Sequence, residues 1–296
     1  MRVLVLGAAG QLGQDLLRHL GATGHQALGL NRSGLDVSDR AAVQQVVSNC
    51  GCAAVVNCAA YTKVDQAEKE PALAYAVNRD GAANVAQACL RAGIPLCQLS
   101  TDFVFGQEAP APARPWSESE EPWPLGVYAQ SKRAGELSCL ESGVHLFLVR
   151  TSWLYGGRGP NFPLSICRAA RQGRQLRVVD DQVGSPTFTS DLAGALVQLL
   201  STGAWGTYHL TGSGATTWFE FAKAVLAETG IRAQVSPVSS ALWGAPAPRP
   251  RYSVLANDRW KALGLPPLPA WPDALRRYVA SERQGAFAET LEGEGL

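Results

Sequence analysis

From Arg2 to Arg150, short apolar runs rich in β-branched residues alternate with longer segments whose apolar residues recur at helical spacing. Parallel strands covered on both faces by helices are written as near-continuous hydrophobic runs, so this alternation predicts repeated β-α-β units around one parallel sheet. The strand candidates are Arg2 to Leu6, Gln26 to Leu30, Ala53 to Asn57, Pro95 to Ser100 and His145 to Arg150. Leu12 to Leu20, Arg40 to Asn49, Ala72 to Arg91 and Val127 to Ser142 read as helices. Between the fourth strand and the last helix, Gln107 to Pro124 carries Pro110, Pro112, Pro115, Pro122 and Pro124 and reads as a long loop. A loop of that length inside a compact fold is usually functional.

After Tyr155 the pattern loosens, with Pro-rich stretches at Ala245 to Pro250 and Pro266 to Pro272 and helices expected at Asn161 to Gln172, Ser190 to Ser201 and Trp218 to Thr229. The expected division is a main unit of residues 1–154 plus returning segments at about 188–214, with residues 155–187 and 215–296 forming a smaller α/β unit. The strand-like Thr207 to Leu210 is a candidate to rejoin the main sheet. Residues Gln284 to Leu296 read as a frayed polar tail.

Composition removes several function classes. With 26 Lys plus Arg against 25 Asp plus Glu, the net charge of +1 provides no field to draw the chain onto nucleic acid or an anionic membrane. No apolar run approaches membrane-spanning length and no signal-peptide pattern is read at the N-terminus, so a cytoplasmic location is expected. The cysteines, at 50, 52, 58, 89, 97, 139 and 167, form no C-x-x-C pair and sit mostly in apolar stretches, as reduced core thiols do. The histidines at 19, 25, 145 and 209 are far apart, and no metal site is expected.

The first chemical signal is Gly7-Ala8-Ala9-Gly10-Gln11-Leu12-Gly13, which follows a strand and opens a helix. A phosphate approaches backbone only where side chains are absent, and the helix start offers it free N–H groups. This context predicts a Rossmann-type, doubly wound sheet that binds a dinucleotide, with the smaller unit left for the substrate. At the end of the second strand, Leu30-Asn31-Arg32-Ser33 has no acid for a ribose 2′-hydroxyl, while Arg32 and Ser33 suit a 2′-phosphate. The pair favours NADP(H) over NAD(H), against the plainer reading of Arg32 as a solvated turn residue.

The strongest signal is Tyr128-Ala129-Gln130-Ser131-Lys132 on the helix after the Pro-rich loop. Tyr and Lys four residues apart share a helical face and reach one ligand. A neighbouring ammonium favours the phenolate, so Lys132 is expected to draw the Tyr128 pKa down towards neutrality for acid/base work. Ser100-Thr101-Asp102 emerges at the carboxyl edge of the sheet, where open α/β folds bind ligands, and supplies Thr101 as a third member.

These residues carry a resemblance. The chain is similar to the extended short-chain dehydrogenase/reductases, and among them to the dTDP-4-dehydrorhamnose reductase family. The matching stretches are Gly7 to Gly13, Asn57 to Glu68, Ser100 to Phe105, Val127 to Glu136, Arg150 to Gly156, Val179 to Thr187 and Arg249 to Leu255. The resemblance implies a catalytic triad of Thr101, Tyr128 and Lys132. It implies hydride transfer from NADPH to the 4-keto carbon of dTDP-6-deoxy-L-lyxo-4-hexulose, with Tyr128 supplying the proton, Lys132 lowering its pKa and holding the nicotinamide ribose, and Thr101 bonding the carbonyl oxygen. Gly7, Gly10, Gln11, Leu12, Asp36, Val37, Ala59, Ala60 and Tyr61 match cofactor-contacting positions. Thr62, Val64, Asp102 and Trp153 match the surroundings of the sugar nucleotide, as do Gln182 to Thr187. Some members of the family use Mg²⁺ at a dimer contact; a homodimer stays open, and this sequence shows no clear acidic cluster for the metal.

Plainer roles stand beside these. Asp36 suits the cap of the helix expected to start near Ser38, Trp153 suits an ordinary core aromatic, and Asp102 suits a backbone brace. The sequence departs from the family where Phe103 replaces Tyr, Gly106 replaces Asp and Ala129 replaces Gly, and its 107–124 loop is longer. A 4,6-dehydratase of the same class needs an Asp-Glu pair after the Thr; Phe103 follows Asp102, so that activity falls away. Two alternatives remain: a related nucleotide-sugar 4-ketoreductase, and a non-catalytic NADP-binding regulatory subunit, against which Tyr128 and Lys132 stand intact.

Overall fold

The computed structural model describes residues 1–106, 114–157 and 159–282. Its first part runs β1 (Arg2–Leu6), α1 (Gln11–Ala22), β2 (Gln26–Leu30), α2 (Arg40–Asn49), β3 (Ala54–Asn57), α3 (Val64–Ala67), α4 (Pro71–Tyr75), α5 (Gly81–Ala92), β4 (Leu96–Thr101), α6 (Gly126–Glu141) and β5 (Leu146–Thr151). It continues with β6 (Leu154–Tyr155), α7 (Phe162–Arg171), β7 (Leu176–Val179), β8 (Val183–Gly184), β9 (Thr187–Phe188), α8 (Thr189–Leu200) and β10 (Gly206–His209). The last elements are β11 (Thr216–Thr217), α9 (Trp218–Thr229), β12 (Val235–Val238), α10 (Ser240–Trp243), α11 (Asp258–Ala262) and α12 (Trp271–Glu282).

One six-stranded sheet in the order β10-β5-β4-β3-β1-β2 organises the molecule, and its strands are all parallel. Successive side chains of a strand point to opposite faces, and the core divides accordingly. Val3, Val5, Val56, Leu99, Phe147 and Val149 face α1 and α8 through Leu16, Leu20, Leu192 and Leu196. Leu4, Leu6, Val55, Leu96, Leu146 and Leu148 face α2 and α5 through Val43, Val47, Val85 and Cys89. The sheet is therefore doubly wound and of Rossmann type. Its connections reverse between β1 and β3, the crevice where such sheets take ligands. As expected, the strand near Thr207 rejoins the sheet, beside β5.

The helix predicted over Ala72 to Arg91 is interrupted by a π-turn at Ala76–Asp80. The turn lies at a close crossing with α6, where a Cβ on Gly135 would lie 2.1 Å from the Asn78 carbonyl oxygen. The wider turn also aims the Asn78 amide at Tyr61 and Ser131, where it donates to the Tyr61 carbonyl at 3.1 Å and the Ser131 hydroxyl at 3.0 Å.

A second core joins Tyr155, Leu164, Cys167, Phe188, Phe221, Val225, Leu275 and Tyr278, with β7 and β12 paired in parallel beside it. Arg277 of α12 clamps Asp191 of α8 through two 2.7 Å bonds and ties this part to the sheet. The stretch around α11 also returns to the sheet, with Trp260 and Leu268 buried in its core. Of the Pro-rich loop, residues 107–113 lie outside the described residues, as does the tail after 282. The rest is sewn down: Trp116 stacks on Phe105 with ring centres 4.9 Å apart and exchanges backbone bonds with Val254 and Ala256. Six cysteines are buried and Cys58 is half-buried, all as free thiols. Among the described residues no helix is long and apolar enough to cross a membrane.

Candidate active site

The carboxyl ends of β1, β3, β4 and β5 open into one cleft of about 870 Å³. Gly7, Gly10, Gln11, Leu12, Arg32, Asp36, Val37, Ala59, Ala60, Tyr61, Thr62, Val64, Thr101, Asp102, Tyr128, Lys132 and Trp153 all line it, so residues separated by up to 146 positions meet in one cleft. Gln182 to Thr187 do not. They lie behind the wall, where the Ser185 carbonyl accepts from Ser152 at 2.6 Å and Thr187 N–H donates to the Trp153 carbonyl at 3.2 Å. Ser185 and Thr187 thereby brace Ser152 and Trp153.

The glycines create the cradle. Gly7 adopts φ +75°, and a Cβ there would lie 2.7 Å from the Ala59 nitrogen; one on Gly13 would lie 2.4 Å from the Gly7 carbonyl oxygen. Backbone thus replaces side chains where β1, α1 and the end of β3 converge, and no side chain caps the first turn of α1. The adjacent Gln11 donates to the Pro160 carbonyl at 2.9 Å, while its buried Oε1 has no hydrogen-bond partner among the described residues. A bare backbone floor with a buried acceptor beside it fits a dinucleotide, as the sequence predicts.

At the β2 end Arg32 lines the cleft with 74% of its side chain exposed and Nε 3.4 Å from Asp36. Asp36 does not cap the following helix. Asp39 does so, accepting from Ala41 and Ala42 N–H at 3.0 Å. Asp36 instead accepts the Ser38 hydroxyl at 2.7 Å and its N–H at 2.9 Å, and these bonds hold its carboxyl below the usual carboxylate range. Ser33 spends its proton on Asn31 at 2.7 Å. On the β3 side, Tyr61 N–H donates to Asn78 at 2.8 Å and its hydroxyl to Glu70 at 2.7 Å.

Thr101 ends β4 opposite Thr151 of β5. Its hydroxyl accepts from Phe103 N–H, donates to Asp102, both at 3.2 Å, and is hydrogen-bonded to Tyr128. One turn beyond Tyr128, Lys132 reaches under the cleft floor to the Leu99 carbonyl at 2.7 Å. The expected lowering of the Tyr128 pKa by Lys132 is not what the geometry produces. Burial penalises both charged forms, the ammonium is committed to Leu99, and the Asp102 carboxylate faces the phenol. Tyr128 is pushed up to about 12, and Lys132 down to about 8 by burial against the opposing pull of Glu136. Burial also pushes Asp102 up to about 7. The phenol therefore carries its proton at neutral pH, the state required of a proton donor.

Trp153, just past β5, holds φ +47°, a left-handed conformation uncommon outside glycine. Its ring stacks on Trp218 with centres 3.5 Å apart and planes 6° from parallel. Trp218 also lines the cleft, and sequence reading missed it: it belongs to a helix 65 positions later, and no spacing rule links the two.

The model of the family described as RmlD substrate binding domain matches residues 1–284. The chain belongs to this family. A dTDP-4-dehydrorhamnose reductase from Streptomyces griseus is 45% identical over 284 residues, covering 93% of this chain and 91% of that protein. One from Mycobacterium tuberculosis is 42% identical, covering 95% and 93%. The crystal structure of dTDP-4-dehydrorhamnose reductase from Bacillus anthracis in complex with NADP superposes with a TM-score of 0.91 at 39% identity, covering 95% of this chain and 99% of that one.

The residues that depart from the family pattern sit in defined surroundings. Phe103 packs edge-on against Tyr128, ring centres 5.5 Å apart. A Cβ on Gly106 would lie 2.8 Å from the Leu125 nitrogen, so the family's Asp has no room where the loop closes on α6. Ala129 is buried and adds a methyl group beneath the helix.

Proposed function

We propose that this chain is an NADPH-dependent oxidoreductase that reduces the 4-keto group of dTDP-6-deoxy-L-lyxo-4-hexulose to give dTDP-L-rhamnose. The observation that carries this reading is the meeting of Thr101, Tyr128 and Lys132 in the cleft that the glycine turn floors. Gly7, Gly10, Gln11 and Leu12 hold the pyrophosphate side of the cofactor, Arg32 with Asp36 and Val37 the adenosine side, and Ala59, Ala60, Tyr61 and Lys132 the part towards the nicotinamide. When bound, NADPH supplies the hydride.

Thr101 and Tyr128 position the carbonyl oxygen by hydrogen bonds and stabilise negative charge growing on it. Tyr128 then donates its phenolic proton. An alkoxide is more basic than a phenolate, so a phenol that stays protonated to about 12 transfers its proton downhill once that charge develops. The proton on Tyr128 is replaced from solvent. Lys132, positively charged below about pH 8, stabilises the transient phenolate. Thr62, Val64, Asp102 and Trp153 surround the sugar nucleotide. In this proposal residues 1–154 and 188–214, with the stretch around α11 packed on the same sheet, hold the cofactor and supply Thr62, Val64, Asp102 and Trp153 to the substrate, the smaller unit adds Trp218, and the work is done in the cytoplasm.

The test mixes the protein with NADPH and the 4-keto sugar nucleotide, follows reduced-nicotinamide absorbance and identifies the product. Stoichiometric oxidation yielding dTDP-L-rhamnose is expected. A folded protein that oxidises no NADPH defeats the reading.

A further inference from the structure

Trp153 adopts a left-handed backbone conformation that is unfavourable for a non-glycine residue and must be held by its surroundings. Three contacts hold it. Trp218 stacks on the indole, Thr187 N–H bonds its carbonyl at 3.2 Å, and Gly184 leaves space for the ring, since a Cβ there would lie 2.4 Å from Trp153 Cε2. Trp218 is itself fixed at the start of α9, where Thr217 caps the helix by accepting from Glu220 N–H at 3.2 Å. Phe162 packs on its ring from α7 with centres 4.6 Å apart.

The place of the stack in the cleft identifies the part of the ligand it meets. Thr151 pairs with Thr101 across β5 and β4, and Trp153 stands only two residues beyond Thr151. The pair therefore borders the reacting end of the cleft, far from Arg32 at the end of the edge strand β2. A deoxysugar ring has an apolar C–H face suited to an aromatic wall.

We propose that Trp218 is a positioning residue that locks Trp153 in its strained conformer as the wall for the sugar half of the nucleotide sugar. The inference deepens the reductase reading and rests on it. Two dissociation constants, for dTDP-L-rhamnose and for dTDP alone, are measured by calorimetry, together with KM and kcat. In Trp218→Ala, dTDP-L-rhamnose binding and the sugar-nucleotide KM are expected to weaken about tenfold, while dTDP binding, the NADPH KM and kcat stay within about twofold. Trp218→Phe, which keeps a stacking ring, is expected to restore most of the loss. Gly184→Ala displaces the Trp153 ring with Trp218 intact and is expected to give the same split; if Trp218→Ala does not fold, Gly184→Ala decides alone. Unchanged dTDP-L-rhamnose binding, or equal weakening for dTDP, overturns the inference. Absence of turnover in the wild-type protein defeats the reductase reading, whereas an active wild type with neutral Trp218 and Gly184 variants defeats only this one.

Discussion

Glu136 grips Arg150 through two 2.9 Å bonds one turn beyond Lys132, and neither side chain exceeds 3% exposure. Ser100, next to Thr101, donates to the same carboxylate at 2.5 Å, and Arg133 reaches it at 2.9 Å. The group therefore fastens α6 to β4 and β5 directly behind the residues proposed to act on substrate.

Removing the Glu136 carboxylate leaves Arg150 buried without its partner. Glu136→Ala is expected to cost about 3–5 kcal/mol of stability, measured by urea unfolding at neutral pH. Burial alone raises the Glu136 pKa, but Arg150, Ser100 and Arg133 overcome it and hold the carboxyl below its usual value. Its contribution is fully present above the unfolded pKa of about 4.3 and is lost as pH falls through the folded value. An unfolding midpoint unchanged by the substitution would contradict this.

His209 titrates in the same direction for a different reason. Burial, reinforced by Arg150, pushes it down to about 3, so the folded protein holds the neutral ring. The unfolded chain gains a proton below about 6.5, and stability is expected to decline as pH falls from there to about 3. His209→Gln is expected to flatten that slope in denaturant titrations across pH.

Two glycines of α1 separate close approach from helix propensity. Gly13→Ala meets the Gly7 carbonyl at 2.4 Å and is expected to weaken NADPH binding at least tenfold, read by nicotinamide fluorescence. Gly21 is exposed, and a Cβ there would have nothing within 4 Å. Gly21→Ala is expected to gain up to about 1 kcal/mol of stability with cofactor affinity unchanged.

Arg32 supplies a cationic group beside the adenosine part of the cleft. Arg32→Ala is expected to raise the NADPH KM about tenfold while leaving the NADH KM within about twofold, as loss of a 2′-phosphate contact requires. Equal effects on both cofactors would remove that role.

The cleft was legible because most of its motifs sit at strand ends, and Tyr128 and Lys132 share one face of α6. Gly7, Ala59 and Trp153 follow β1, β3 and β5, Thr101 ends β4, and a parallel sheet brings such ends to one edge whatever their separation in the chain. Contacts between units were not legible. The Trp153–Trp218 stack and the bracing by Ser185 and Thr187 depend on how the second core docks, which no local periodicity encodes. The direction of the Tyr128 shift was missed because spacing along a helix locates Lys132 but does not reveal its bond to Leu99 or the burial of both groups. Asp39 outranks Asp36 as a helix cap through a difference of three positions, close to the usual uncertainty of a helix boundary.

The central claim is that Tyr128 is the proton donor, and single-turnover kinetics of Tyr128→Phe test it most directly. The expected result is NADPH affinity within about twofold of wild type and a rate of nicotinamide oxidation lower by about 10²–10⁴. A folded variant that turns over like the wild type would contradict it.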